Sequence, residues 1–262
     1  MMTSRISLEY ENKTIVGTRF CPQSPLRNPV LLVHGFGANR IGDGRLFVSL
    51  AQKLTEHGFE VFAFDRLGHG ESDGNFMDIT VQDEIDQLDA MLEYILHKAN
   101  PKVHVLGHSL GGVEAAKLAA RRPDTVASLT LWVPAAGFAH EISEKNQLQG
   151  KSIASAAVTG YFDFEGQQLG LDFIEEAKTF EPYAGLNTFK NPVFVHQGEQ
   201  DALLPVDYAE RYVEIWEKQA TLYTYPNADH GLKQLEAREK LLEQSVENLI
   251  QVEETVSAAS LQ

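Results

Sequence analysis

The feature that most constrains the fold is a regular alternation of short apolar runs with segments of helical periodicity. Runs such as Val30-Leu31-Leu32-Val33 are typical of strands that are buried on both faces, as in parallel sheets. Between such runs apolar residues recur at helical spacing, as Leu46, Leu50 and Leu54 do before Gly58. The alternation therefore predicts a mostly parallel central sheet with helices on both faces.

The same patterns place the individual elements along the chain. Core strands are predicted at residues 30–33, 61–64, 103–106, 126–133, 192–196 and 221–225, and alternating segments at 5–10 and 14–20 predict an N-terminal β-hairpin. Helices are predicted after residue 45, after Thr80, and at 110–120, 208–216 and 232–250. Thr80 followed by Asp83 is typical of a helix start.

One long segment interrupts this alternation. Residues 135–186 separate two core strands, and a structureless loop of that length is implausible in a compact domain. We therefore predict an inserted, partly helical lid, with residues 1–134 and 187–262 forming the core domain. The aromatic residues of the insert either make its own small core or line a substrate pocket: Phe138, Tyr161, Phe162, Phe164, Phe173, Phe180 and Tyr183.

Composition excludes several classes of protein. The chain has 262 residues, of which 43% are hydrophobic, enough for a sizeable core, and it has no apolar run long enough to span a membrane. Its formal net charge is −15, which disfavours nucleic acid as a partner. The single cysteine, Cys21, excludes an internal disulfide and a cysteine-built metal site. With no secretory signal pattern, these facts predict a cytoplasmic protein.

A candidate nucleophile lies in the pentapeptide Gly107-His108-Ser109-Leu110-Gly111, which matches G-x-S-x-G. The motif follows a predicted strand and opens a predicted helix, the context in which a serine hydroxyl is exposed on a strained turn. The residues two positions away crowd such a turn, which explains glycine at both. The helix N-terminus behind the serine offers free N–H groups to a developing oxyanion.

A nucleophilic serine needs a base and an orienting acid, which in α/β proteins follow it in the order acid and then histidine. Asp201 comes just after the predicted strand 192–196, and His230 just after the strand 221–225. Glu199 is the competing acid. Because Ser109, Asp201 and His230 all follow strand ends, they are expected at the same edge of the sheet.

Further residues complete the predicted site. The backbone N–H groups of Phe36 and Leu110 are the candidate oxyanion donors, because His34-Gly35-Phe36-Gly37 follows the strand 30–33. His34 is assigned a structural role in that loop, and His108 is expected to line the pocket floor without transferring a proton. No metal site and no cofactor are predicted, since phosphate-binding and metal-binding spacings are lacking.

These motifs resemble the α/β-hydrolase superfamily over nearly the whole chain. Residues 64–72 (FDRLGHGES) are similar to the family segment D-x-x-G-x-G-x-S, and residues 34–40 (HGFGANR) to the oxyanion loop of bacterial feruloyl (cinnamoyl) esterases. In that family polar residues of the lid contact an aromatic acyl group, and Glu141 and Gln149 fall near their positions. Phe173 stands where some members carry a tyrosine. The resemblance implies the α/β-hydrolase fold with substrate contacts at these residues.

The sequence thus predicts an esterase that acts through an acyl-enzyme on short-chain or aromatic, hydroxycinnamoyl esters. Ser109 is the nucleophile, His230 the base and Asp201 the orienting acid. The alternatives are an activity like that of monoacylglycerol lipases, a thioesterase or amidase using the same triad, and a non-catalytic ligand receptor. The expected partner is a small ester, without nucleic acid or membrane. The oligomeric state is left open, and base rates favour a homodimer.

Overall fold

The computed structural model describes residues 2–97 and 102–259. In chain order the strands of this part are β1 (Met2–Tyr10), β2 (Lys13–Cys21), β3 (Val30–Val33), β4 (Val61–Phe64), β5 (Val103–His108), β6 (Val126–Trp132), β7 (Gln147–Leu148), β8 (Lys151–Ser152), β9 (Tyr161–Phe164), β10 (Gln167–Gly170), β11 (Val193–Gly198) and β12 (Ala220–Tyr225). The helices are α1 (Leu46–Glu56), α2 (Val81–Leu96), α3 (Leu110–Arg121), α4 (Gly137–Lys145), α5 (Ala156–Thr159), α6 (Leu171–Ala177), α7 (Val206–Trp216) and α8 (Leu235–Ala259).

The central sheet has the strand order β1-β2-β4-β3-β5-β6-β11-β12. From β4 to β12 all neighbours are parallel, and only the N-terminal hairpin pairs antiparallel, with β2 against β4. The next strand after β3, β4, lies on one side of it, and the strand after that, β5, lies on its other side. Ligand sites of open α/β sheets lie at such a switch point, outside the carboxyl ends of the strands.

Helices cover both faces of this sheet, as the alternation predicted. Helices α1 and α8 pack on one face, around Leu50, Trp132 and Leu241. Helices α2, α3 and α7 pack on the other face. The predicted α/β class with a mostly parallel sheet is confirmed. Among the described residues no helix is both long and apolar enough to cross a membrane.

Several element boundaries differ from the sequence prediction, and two of these differences follow from a positive φ. The last strand before the insert ends at Trp132, because Val133 has a φ of 43°, which a β-branched residue rarely adopts. The last helix begins at Leu235 rather than at residue 232, because Leu232 has a φ of 46° and is buried in the core. In both cases an apolar residue continues the sequence pattern although its backbone lies outside the element.

The insert between β6 and β11 contains α4, α5 and α6 together with two small antiparallel hairpins, β7–β8 and β9–β10. The hairpins were not predicted, because strands this short carry no periodicity. The aromatic side chains of Phe162, Phe164 and Phe173 join the main core cluster. The role of this segment as a lid stays a prediction.

A buried polar cluster anchors α8 to the sheet. His104 on β5 contacts Ser128 Oγ at 2.7 Å through Nδ1 and Glu253 Oε1 at 3.0 Å through Nε2. Asn28 donates to both oxygens of Glu253, from its side chain at 2.8 Å and from its backbone N–H at 3.2 Å. Burial raises the pKa of Glu253, but the bonds from His104 and Asn28 outweigh it and lower that pKa to about 2.

The lowered pKa makes the contribution of Glu253 to stability dependent on pH. The carboxylate stabilises the fold fully above its ordinary pKa of 4.5, and this contribution is lost as pH falls from there towards 2. We expect Glu253→Gln to lower the free energy of unfolding by about 2 kcal/mol at pH 7, and by less at pH 3. Urea unfolding at both pH values measures the difference. The control is Glu254→Gln, since Glu254 is exposed on the same helix; an equal loss at both pH values for Glu253→Gln would contradict the assignment.

Candidate active site

The turn between β5 and α3 places Ser109 in a strained backbone conformation. Its φ is 56° and its ψ is −124°, and its side chain projects at the carboxyl edge of the sheet. Glycine is needed on both sides of the turn. A Cβ on Gly107 would lie 2.2 Å from the carbonyl oxygen of Gly111, and a Cβ on Gly111 would lie 2.2 Å from that of His34. The sequence interpretation of the two glycines agrees with this packing.

The structure brings the predicted nucleophile, base and acid together. Ser109 Oγ lies 3.0 Å from His230 Nε2, and His230 Nδ1 lies 2.8 Å from Asp201 Oδ2. These residues come from the loops after β5, β12 and β11. The carboxyl ends of parallel strands thus bring residues 121 and 29 positions apart within hydrogen-bond distance.

Backbone amides hold the Asp201 carboxylate in place. Asp201 Oδ1 accepts hydrogen bonds from the N–H groups of Leu203 and Leu204, both at 2.9 Å. Oδ2 accepts from Gln197 Nε2 at 3.2 Å and faces His230. The competing acid, Glu199, is exposed, so the geometry favours Asp201.

The candidate oxyanion donors lie on the two loops that flank Ser109. Phe36 belongs to the loop after β3, where a Cβ on Gly35 would lie 3.0 Å from the Ser109 Cβ. Leu110 begins α3, so its N–H precedes the first bonded turn of the helix. In the described part of the chain neither amide is engaged by a turn or loop hydrogen bond. Both are therefore available to an oxygen bound beside Ser109.

A charged cluster ties the loop after β3 to the loop after β4. The Arg40 backbone N–H donates to Asp65 Oδ1 at 2.7 Å, and its guanidinium pairs with Asp65 and with Glu71. Asp65 is buried, and its Oδ2 also accepts from the Glu71 N–H at 2.9 Å. These bonds explain how Arg40, which follows His34 and Gly35 in the chain, helps to fix the shape of the loop after β3.

A small cavity of about 40 Å³ lies beside Ser109, under the insert. It is lined by the predicted residues Glu141, Gln149 and Phe173. Leu203 and Leu204 also line it, although no sequence pattern marked these two loop residues. The Glu141 carboxylate is not free to turn into the cavity, because it accepts hydrogen bonds from the Gln149 N–H at 2.8 Å and the Gly150 N–H at 2.5 Å.

An aromatic cluster closes the cavity on the side of the insert. The ring of Phe36 lies 4.7 Å from that of Phe164, 5.1 Å from that of Phe173 and 5.2 Å from that of Phe76. Phe138 packs on Phe173 at 6.2 Å. Phe138, Phe164 and Phe173 therefore pack into the main core cluster rather than into a core of the insert alone, and Phe138 and Phe173 also line the cavity. Phe76 was missed, because it stands alone in a loop.

A second cavity of about 250 Å³ also adjoins Ser109 and His230, and its lining includes His108. His108 therefore lines this second cavity and does not line the smaller one. Its ring packs against that of His230 at 6.0 Å. Burial, followed by the nearby His230, lowers the pKa of His108 to about 3, so it is neutral at physiological pH. A neutral ring beside the base agrees with the expectation that it transfers no proton.

His34 uses both of its ring nitrogens within the loop. Nε2 accepts a hydrogen bond from the Arg66 backbone N–H at 3.2 Å, which leaves the proton on Nδ1 to be donated to the Gly35 carbonyl at 2.9 Å. The predicted structural role of His34 fits this arrangement. No group of three or more potential metal-binding side chains is found within residues 2–97 and 102–259.

Comparison with known proteins places these observations in a family context. The family described as alpha/beta hydrolase fold matches residues 28–170. The lipase LipV of Mycobacterium tuberculosis is 38% identical over 117 residues, which are 45% of this chain and 40% of LipV. A triacylglycerol lipase of Pseudomonas fragi is 30% identical over 148 residues, 53% of this chain and 46% of the lipase. The aligned part thus spans less than half the length of either relative.

Among solved structures, Est1E from Butyrivibrio proteoclasticus with bound ferulic acid is similar to this chain with a TM-score of 0.85. The two are 23% identical, and the alignment covers 95% of this chain and 99% of Est1E. At this identity the likeness establishes the fold. The fold implied by the sequence motifs is therefore confirmed over almost the whole chain.

The glycine packing behind Ser109 yields a stability test. We expect Gly111→Ala to lower the free energy of unfolding by about 3 kcal/mol, because the new Cβ would collide with the His34 carbonyl. The loss is expected although alanine favours helices by about 1 kcal/mol over glycine. The control is Gly160→Ala, whose Cβ would meet nothing within 4 Å and which tests only the cost of a φ of 82°. Denaturant unfolding of both variants measures the effect; equal losses would contradict a steric role for Gly111.

Proposed function

Since the chain belongs to the α/β-hydrolase family, we propose that it hydrolyses carboxylic esters through a covalent acyl-enzyme. The observation that carries the proposal is the continuous chain of contacts from Ser109 Oγ to His230 and on to Asp201. A hydroxyl held 3.0 Å from an imidazole nitrogen can lose its proton as it attacks a carbonyl carbon.

In the proposed reaction, Ser109 Oγ attacks the ester carbonyl while His230 Nε2 accepts its proton. The N–H groups of Phe36 and Leu110 stabilise the resulting oxyanion, and one such donor is worth roughly 3–4 kcal/mol in comparable enzymes. His230 then gives its proton to the leaving alcohol as the tetrahedral intermediate collapses. Water, activated by His230, attacks the acyl-enzyme, and the acid product and free Ser109 are released.

Asp201 has two functions in this scheme. Its Oδ2 accepts a hydrogen bond from the Nδ1–H of His230, which leaves Nε2 free to accept the proton of Ser109. Its negative charge also stabilises the imidazolium that forms during attack. The bonds from Leu203 and Leu204 to Oδ1 fix the orientation of the carboxylate, so that Oδ2 faces the ring.

The shape of the site supports short acyl groups first. Of the two cavities beside Ser109, the one under the insert is the smaller, at about 40 Å³ against about 250 Å³, so an acyl group that enters under the insert is expected to be short. A larger or aromatic acyl group would need the larger cavity, which adjoins the same Ser109 and His230. The likeness to Est1E, which is seen with bound ferulic acid, supports testing hydroxycinnamoyl esters as well.

The nucleophile and the acyl preference are tested together. We expect wild-type protein to hydrolyse p-nitrophenyl acetate faster than p-nitrophenyl octanoate, and Ser109→Ala to lower kcat by at least about 10⁴-fold. Rates for acetate, butyrate and octanoate esters and for methyl ferulate give the comparison. The control is Ser143→Ala on α4, since Ser143 lies outside both cavities beside Ser109.

The outcomes separate the alternatives. Methyl ferulate turnover near that of the best p-nitrophenyl ester would assign aromatic acyl groups to the site. Hydrolysis of p-nitrophenyl esters alone would assign a general carboxylesterase. Residual Ser109→Ala activity close to that of wild type would refute the nucleophile, and absence of any ester hydrolysis would favour a receptor.

The orienting acid is tested by Asp201→Asn. Since the side-chain oxygen must remain with the Leu203 and Leu204 amides, the new NH₂ group would face His230 and force the ring into the tautomer with Nε2 protonated. We expect kcat to fall by about 10⁴-fold, as for the same change in comparable triads, with KM nearly unchanged. The matched control is Glu199→Gln, which removes an exposed carboxylate two residues away and should keep wild-type kcat. A loss of similar size in Glu199→Gln would refute the choice of acid.

A further inference from the structure

The side chain of Arg66 lies buried beneath the oxyanion loop, with 1% of its surface exposed. Its guanidinium donates hydrogen bonds to two successive backbone carbonyls of that loop, to His34 at 2.8 Å and to Gly35 at 3.3 Å. Burying a cation is costly unless the charge is paired.

The Gly35 carbonyl shares its peptide unit with the Phe36 N–H, one of the two candidate oxyanion donors. That carbonyl accepts hydrogen bonds from three groups: Arg66 Nη2, His34 Nδ1 at 2.9 Å and the Ala38 N–H at 3.3 Å. Because a trans peptide is planar, its C=O and N–H point in opposite directions. Fixing the Gly35 oxygen on the Arg66 side therefore aims the Phe36 N–H towards the opposite side, where Ser109 lies.

His34 supports the same peptide through a fixed tautomer. The Arg66 backbone N–H occupies His34 Nε2, so that the Nδ1 proton is available to the Gly35 carbonyl. Burial, and after it the charge of Arg66, holds the pKa of His34 well below its usual range. The ring therefore stays neutral and keeps this donor geometry at physiological pH.

Two buried carboxyl groups connect Arg66 to the neighbouring helices. Glu84 on α2 accepts from Arg66 Nε at 2.7 Å, and Glu114 on α3 lies 3.0 Å from Nη1. Burial raises the pKa of Glu84, but Arg66 outweighs it and lowers that pKa below its usual value. Burial raises the pKa of Glu114 well above its usual range, against the attraction of Arg66. Arg66 thus lies between two buried carboxyl groups whose pKa values are shifted in opposite directions.

The contact with Glu114 joins the two halves of the oxyanion hole. Helix α3, which carries Glu114, begins with Leu110, the second candidate donor. The His34 carbonyl that Arg66 holds also packs directly against Gly111 of the same helix. Arg66 therefore binds the backbone of the loop after β3 directly and reaches helix α3 through the side chain of Glu114.

We propose that Arg66 is a positioning residue that aligns the Phe36 and Leu110 amides into one oxyanion hole. It does so by clamping the His34 and Gly35 carbonyls on one side and the Glu114 carboxyl group on the other. Its positive charge, placed at the Gly35 oxygen, also polarises the peptide and strengthens the Phe36 N–H as a donor. This inference rests on the proposed function, because it assigns Arg66 to the oxyanion of that reaction.

The test uses the charge-balanced variant Arg66→Met/Glu84→Gln, which removes the cation together with its carboxylate. We expect kcat for p-nitrophenyl acetate to fall roughly 10- to 100-fold with KM unchanged, because misaligned donors act on the transition state. Affinity for phenyl trifluoromethyl ketone, to which Ser109 adds to form an anionic hemiketal, should fall by the same factor. If Arg66 only stabilised the fold, kcat and the affinity for the ketone would not fall by the same factor.

The matched control is Arg19→Met/Glu60→Gln, which removes another arginine–carboxylate pair at β2, away from Ser109. This variant should lose thermal stability but keep wild-type kcat and ketone affinity. If Arg66→Met/Glu84→Gln fails to fold, Arg66→Lys keeps the charge but cannot reach both carbonyls, and its kcat and ketone affinity should both fall about 5-fold.

Two results would overturn the inference alone while ester hydrolysis stands. One is wild-type kcat in the Arg66 variants. The other is a kcat loss that leaves ketone affinity unchanged. If wild-type protein neither hydrolyses esters nor binds the ketone, the proposed function fails, and the role of Arg66 falls with it.

Discussion

The arrangement of the site depends on one steric constraint, the close packing of three backbone segments around the turn at Ser109. The strand β5 passes into α3 within a single residue, and the loop after β3 lies against both. Because glycine stands at positions 107 and 111, the segments approach to distances that no Cβ would allow, and at Gly35 a Cβ would already be tight against Ser109. The same close packing brings the Phe36 and Leu110 amides to the side of Ser109, so the packing of the backbone segments also sets the geometry of the oxyanion donors.

Inside this acidic chain, each buried charged group near the site is neutralised by its own neighbours. The net charge of −15 sums all charged groups of the chain, whereas the buried groups near the site are paired individually. Asp201 is satisfied by amides and His230, and Arg66 is balanced by Glu84. Pairing of this kind is necessary because an unmatched charge in a low-dielectric interior costs several kcal/mol. The buried charges therefore specify backbone and ring orientations, which is what the proposed chemistry requires.

The insert illustrates where sequence patterns lose information. Its aromatic content was visible, but its two hairpins and the contacts of Phe164 and Phe173 with Phe36 were not. Strands of two to four residues are too short to show a period, and ring contacts across separate segments leave no mark in either one. The end of β6 and the start of α8 differ from the sequence prediction for a related reason. Val133 and Leu232 are apolar like their neighbours but adopt a positive φ.

The sequence by itself determined the parallel sheet, the turn at Ser109 and the strand-end positions of Asp201 and His230. It could do so because hydrophobic period and glycine spacing are local properties, and because parallel strands direct their carboxyl ends to one edge. Only the tertiary structure decided that Asp201 rather than Glu199 faces His230, that the cavity under the insert is small, and that Arg66 clamps the oxyanion loop. Those outcomes depend on distances between residues far apart in the chain, which are set by packing and by the pairing of buried charges.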